Sequence, residues 1–145
     1  MKILILNGPN LNKINLRAKP IYGSLSLEEI EALITQTYPK INFIFKQTNH
    51  EGTMIDILQD FDGEAIIINP GAYTHTSIAL RDCLEYLNIL KVEVHLSDFT
   101  NREDFRKKNY ISEVVNLTIS GNYHLGYLQA VDYIIKHLKI REKYD

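Results

Sequence analysis

EAIII, residues 64–68, is apolar at four consecutive positions after its leading glutamate. A strand with one face in water alternates apolar and polar residues; a strand covered on both faces does not. The run therefore predicts an inner strand of a parallel sheet, with helices above and below. The flanking sequence supplies them. Upstream, Met54, Ile57, Leu58 and Phe61 fall at i, i+3, i+4 and i+7. Downstream, Leu80, Cys83, Leu84 and Leu87 follow the same rule. Further out, KILIL (2–6), INFIFK (41–46) and residues 90–96 and 113–119 read as strands, 41–46 alternating as a half-buried one should. Ser26-Leu27-Glu28-Glu29 is a capping box. The helix it opens carries Leu27, Ile30, Leu33, Ile34 and Tyr38 on one face, and Val131, Ile134, Ile135 and Leu138 mark the last helix.

Five strands alternating with helices predict an α/β fold: a five-stranded parallel sheet with helices on both faces, in one domain over residues 1–145. Right-handed crossovers leave few topologies, and the flavodoxin-like order 2-1-3-4-5 is the natural one. Ligands of such sheets bind beyond the carboxyl ends of the strands, where the strand order reverses. That directs attention to the loops 7–23, 69–77 and 96–106 before any motif is consulted.

Bulk properties narrow the function classes. A chain of 145 residues with 45% hydrophobic and 23% charged residues is ordinary for a soluble globular protein. A net charge of −2 offers no broad basic surface for nucleic acid. Cys83 is the one cysteine, which fits a reducing compartment, and the apolar run after Met1 is too short for a signal peptide or membrane span. These features predict a cytoplasmic protein. The histidines and the cysteine show no metal-binding spacing, and no GxGxxG or GxxxxGK[ST] follows the first strand.

The chemistry-bearing candidates lie in the three loops. In LKVEVHL (90–96), Glu93 and His95 share a face, roughly 7 Å apart at the backbone. A carboxylate in reach of a histidine fixes its tautomer and favours its charged form, which suits a general acid. The competing reading is an edge strand with one solvated face, and spacing alone leaves the two about even. In NPGAYTHTSIALRD (69–82), Asn69 and His75 can donate or accept hydrogen bonds, and Thr74, Thr76 and Ser77 are plausible caps of a helix start that would attract an anion. A histidine that merely touches water is the commoner case there. Arg102 and Arg106, four apart on one face of a short helix, either bind a carboxylate substrate or form surface ion pairs with Glu103 and Asp104. In NLNKINLRAKPIYG (10–23), Arg17 and Tyr22 form a possible cation–base pair, because a nearby positive charge favours tyrosinate. Asn7 and Asn10 are placed to hold a water or a developing oxyanion. Taken alone, a tyrosine lying half-buried on the surface is the commoner reading.

Taken together, NGPNLN...LR....YG, QTNHEG...D, INPGAYTHTSIALRD, EVHLS and RE.FR resemble type II 3-dehydroquinate dehydratase, in order and from residue 3 to Tyr127. The resemblance implies a flavodoxin-like fold, a homododecamer built as a tetramer of trimers, and conversion of 3-dehydroquinate to 3-dehydroshikimate with neither metal nor organic cofactor. By position it implies Tyr22 as general base, Arg17 as its activator on a mobile lid, and Asn10 as the holder of a water that stabilises an enolate. It implies His95 as the acid that protonates the leaving hydroxyl, oriented by Glu93. Asn69, His75, the backbone N–H of Leu96, Ser97 and Arg106 are implied to bind substrate, and Asp82 to reach a neighbouring subunit's site.

The chain departs from the family pattern at Asn15, at Ala18-Lys19 with Pro20 one position late, at Asp98, Asn109 and Asn116-Leu117, and at Tyr123, where a second glycine is usual. None of these is a residue assigned to chemistry, so the lid's motion or charge balance is the expected point of difference. A flavodoxin-like binding or electron-transfer module and a non-catalytic assembly subunit are the competing readings.

Overall fold

The structure, a computed structural model, describes residues 1–144. Its strands are β1 (Lys2–Asn7), β2 (Asn42–Gln47), β3 (Ala65–Asn69), β4 (Leu90–His95) and β5 (Leu117–Ser120), all parallel, in the order β2-β1-β3-β4-β5. The helices are α1 (Lys19–Tyr22), α2 (Leu27–Thr37), α3 (Glu51–Asp60), α4 (Ile78–Tyr86) and α5 (Leu125–Tyr144). None among the described residues is long and apolar enough to cross a membrane.

The successive apolar residues of β1 and β3 serve two cores. Ile3, Ile5, Ala65 and Ile67 pack with Ile30, Ile34, Val131 and Ile134 of α2 and α5. Leu4, Leu6, Ile66 and Ile68 pack with Met54, Leu58, Leu80 and Leu84 of α3 and α4. Burying each such side chain stabilises the fold by about 1.5–3 kcal/mol. The capping box forms as read: Ser26 Oγ accepts from Glu29 N–H and Glu29 Oε1 from Ser26 N–H, each at 3.1 Å.

The competing edge-strand reading of β4 is excluded, and one strand boundary is corrected. β4 is not an edge strand: it lies between β3 and β5, and Lys91, Glu93 and His95 are all buried. Lys91 is accommodated because its Nζ donates to the carbonyls of Leu84 and Leu87 at 2.6 and 2.8 Å, satisfying the end of α4. The fifth strand starts at Leu117 rather than at 113, with a 3-10 turn over Ser112–Val114 before it. There, side chains take over backbone partners. Asn109 Oδ1 accepts from the N–H groups of Ile111 and Ser112, and Asn116 Oδ1 from that of Lys91.

β1 and β3 are adjacent, and the chain leaves their carboxyl ends toward opposite sides. At that point Gly8 donates its N–H to the Asn69 carbonyl at 2.8 Å, and a Cβ on Gly8 would come within 2.5 Å of the Pro70 carbonyl oxygen. Only glycine allows the two loops to approach this closely.

Candidate active site

The loops after β1, β3 and β4 meet in one pocket beyond the strand ends. Asn10, Arg17 and Tyr22 line it from the first loop, Asn69 and His75 from the second, and His95, Leu96, Ser97 and Arg106 from the third. Phe99 and Arg102 complete the wall. Asn10 sits in the left-handed region (φ 69°), which asparagine tolerates better than most residues, and its N–H donates to Asn49 Oδ1 at 3.1 Å.

On one wall, the Arg17 guanidinium donates to the Tyr22 hydroxyl and lies over the Tyr22 ring at 3.9 Å. The Arg102 guanidinium is over the same ring at 5.1 Å. Burial pushes Arg17 below the ordinary arginine value, the Tyr22 oxygen pulls it back up, and Arg102 and Arg106 push it down again. Positive charge is thus concentrated at one phenol and one cavity. Arg106 pairs with Glu103 at 2.5 Å and still lines the pocket, whereas Arg102 makes no ion pair among the described residues and donates to Ser97 Oγ at 3.5 Å. The surface-pairing reading therefore holds for part of Arg106 only. The expected short helix is also replaced, by two 3-10 turns at Phe99–Asn101 and Asp104–Arg106.

Elsewhere in the lining, His95 Nε2 meets Glu93 Oε2 at 2.5 Å. Glu93 is fully buried. Burial would raise its pKa, but hydrogen bonds from His95, Thr118 and Asn109 outweigh it and hold the carboxyl below the usual range. Thr74 Oγ1 donates to the same carboxylate at 3.3 Å. The His95 ring stands edge-on to Phe99, centroids 4.8 Å apart. His75 Nδ1 donates to the Lys108 carbonyl at 2.7 Å, which leaves Nε2 as the acceptor of a neutral ring. Burial lowers its pKa, which disfavours the charged ring.

Two expectations shift. Thr74 is not a helix cap but a buried support of Glu93; Ser77 caps α4 instead, accepting from Leu80 N–H at 2.9 Å. Asn7 does not face the pocket. It is buried beneath it, where Tyr127 Oη donates to Asn7 Oδ1 at 2.5 Å and accepts from Asn69 Nδ2 at 3.2 Å. Asp82, which the resemblance assigns to a neighbouring subunit's site, lies on α4 outside this pocket, 65% exposed and 3.6 Å from Arg81.

Sequence reasoning did not single out Phe99, Tyr127 or Thr118. Thr118 is legible only once register is known, since it pairs directly with Glu93 across β4 and β5. A tyrosine opening the apolar face of the last helix was the available signal for Tyr127.

A family model described as Dehydroquinase class II matches residues 1–135. The chain is 44% identical over 141 residues to the 3-dehydroquinate dehydratase of Thermotoga maritima, covering 96% of this chain and 98% of that one. It is 45% identical over 150 residues to the catabolic 3-dehydroquinase of Botryotinia fuckeliana, covering 98% and 97%. The crystal structure of type II dehydroquinase from Butyrivibrio crossotus superposes with a TM-score of 0.89 at 43% identity, over 92% of this chain and 97% of that one.

Proposed function

The chain belongs to the class II dehydroquinases, and from that premise we propose that it removes water from 3-dehydroquinate to give 3-dehydroshikimate through an enolate. One observation carries the mechanism. A tyrosine under two guanidinium groups and a histidine backed by a buried carboxylate line the same cavity. The proton lost is alpha to a ketone, so negative charge develops on oxygen, and the hydroxyl that leaves is beta to it. Such a reaction needs one base and one acid whose environments differ.

In this reading Tyr22, with the Arg17 guanidinium on its hydroxyl, takes the proton from C2. Asn10 holds a water at the developing enolate oxygen. His95, oriented by Glu93, gives a proton to the leaving hydroxyl. Arg106, Ser97, the Leu96 N–H, His75 and Asn69 bind the carboxylate and hydroxyls. The first loop excludes water when it closes. Asp82, exposed on α4, is assigned to a neighbouring subunit's pocket, in a cytoplasmic homododecamer arranged as a tetramer of trimers. Relatives named 3-dehydroquinate dehydratase and catabolic 3-dehydroquinase are both similar to the chain, and the reading extends to either the shikimate or the quinate route.

The test is to mix the protein with 3-dehydroquinate and follow the conjugated enone by ultraviolet absorbance, with and without a chelator. Absorbance rising above the buffer control in both is expected. No rise rejects the activity, and loss with chelator rejects the metal-free mechanism. Light scattering checks the assembly, and a mass other than twelve chains rejects it.

A further inference from the structure

Among the described residues Tyr123 is one of two non-glycine residues in the left-handed region, at φ 53°. It lies in the turn between β5 and α5, at a position where glycine would meet no steric penalty. Its presence there is not explained by the turn, and its side chain supplies the reason. The hydroxyl donates to the Pro20 carbonyl at 2.6 Å. The ring packs on Gly23, where an added Cβ would come within 3.1 Å of Tyr123 Cδ1. These two contacts bracket Tyr22, the last residue of α1.

The segment they hold has little stability of its own. α1 is four residues long, with no side-chain cap at Ala18, and a helix that short does not persist without tertiary contacts. The Pro20 carbonyl accepts no backbone N–H among the described residues, so the Tyr123 hydroxyl satisfies it. Behind the side chain the backbone is anchored too: Tyr123 N–H donates to the Leu96 carbonyl at 3.0 Å, tying the turn to the loop that carries Ser97 and Arg102. The late proline and the missing glycine, two departures far apart in the sequence, are in direct contact.

We propose that Tyr123 is a positioning residue, which holds α1 in the closed place that aims Tyr22 and Arg17 into the pocket. The inference rests on the reading of Tyr22 as the base. It adds a contact from outside the lid that sets how far the lid closes.

Two variants test it, Tyr123→Phe and Tyr123→Gly, each followed by amide hydrogen exchange and by steady-state kinetics on 3-dehydroquinate. Tyr123→Phe keeps the ring and the backbone strain and removes one hydrogen bond. Exchange at the Tyr22 and Gly23 amides is expected to rise about fivefold, and kcat to fall by a similar factor, with exchange in β1 unchanged and KM within about twofold. Tyr123→Gly removes both contacts and relieves the strain. It is expected to lower kcat further while leaving the melting temperature the same or higher. A merely structural role would lower melting temperature and activity together. Wild-type exchange at Tyr22 and Gly23 in either variant overturns the proposal. An inactive wild-type protein would reject the dehydratase reading, while the exchange result would still decide whether Tyr123 holds α1.

Discussion

Glu93 and His95 are two residues apart on β4 and meet on one face, Oε2 to Nε2 at 2.5 Å. The contact uses the histidine nitrogen that points down the strand. The other ring nitrogen, Nδ1, makes no hydrogen bond among the described residues and is the one left for the pocket that His95 lines. A carboxylate on one ring nitrogen fixes the tautomer and the orientation of the ring.

Glu93→Gln separates charge from shape. The amide keeps one acceptor but turns an N–H₂ toward Asn109, Thr118 or His95, all of which donate to the carboxylate. Unfolding in urea is expected to show a loss of about 1–3 kcal/mol, and turnover to fall at least about tenfold. Unchanged turnover would remove Glu93 from the acid's support.

Acid should weaken the fold through the same group. The folded-state pKa of Glu93 lies below its ordinary value of 4.5. Its stabilising contribution is therefore complete above about pH 4.5 and is lost as pH falls through the folded-state value. Denaturant midpoints measured from pH 6 downward should decline in that window, and the decline should be shallower in Glu93→Gln. Parallel profiles for the two proteins would contradict this.

Tyr22→Phe removes the proposed base and leaves the ring beneath Arg17 and Arg102. Enone formation should vanish while 3-dehydroquinate still binds in calorimetry. Residual turnover near the wild-type rate would reassign the base.

Arg102→Ala tests the second guanidinium over Tyr22. A partly desolvated cation–ring contact contributes about 1–2 kcal/mol, so kcat/KM should drop by about tenfold. Arg106→Ala should act mainly on KM, as loss of a substrate contact. The assignment of Arg102 fails if its variant shows the Arg106 pattern.

Tyr127→Phe leaves Asn7 Oδ1 without its donor and Asn69 Nδ2 without its acceptor, both buried. Stability should fall by about 1–3 kcal/mol. Asn69 should also lose its orientation and KM should rise. A variant as stable as wild type would show that these amides find other partners.

Much of this was legible in the residues. The four apolar positions at 65–68 and the helical spacings around them implied a covered parallel sheet, and the topology followed from handedness. The carboxyl ends of β1, β3 and β4 were marked as the site because strand order reverses there, and the motif set separated a dehydratase from an electron-transfer module. The misplaced start of β5 has a local cause: Asn109 and Asn116 compete with the ladder for backbone groups, which hydrophobic periodicity does not register.

Sequence by itself determined the sheet, its order and the residue types available for acid, base and anion binding, because apolar period and turn chemistry are local properties of the chain. Tertiary structure alone decided which of those residues meet. Glu93 gains donors from Thr118 on β5 and from Thr74 and Asn109 in the loops after β3 and β4, Asn69 is held by α5, and Tyr123 reaches Pro20 across 103 residues. Contacts at such separation depend on register and packing, and no spacing along the chain encodes them.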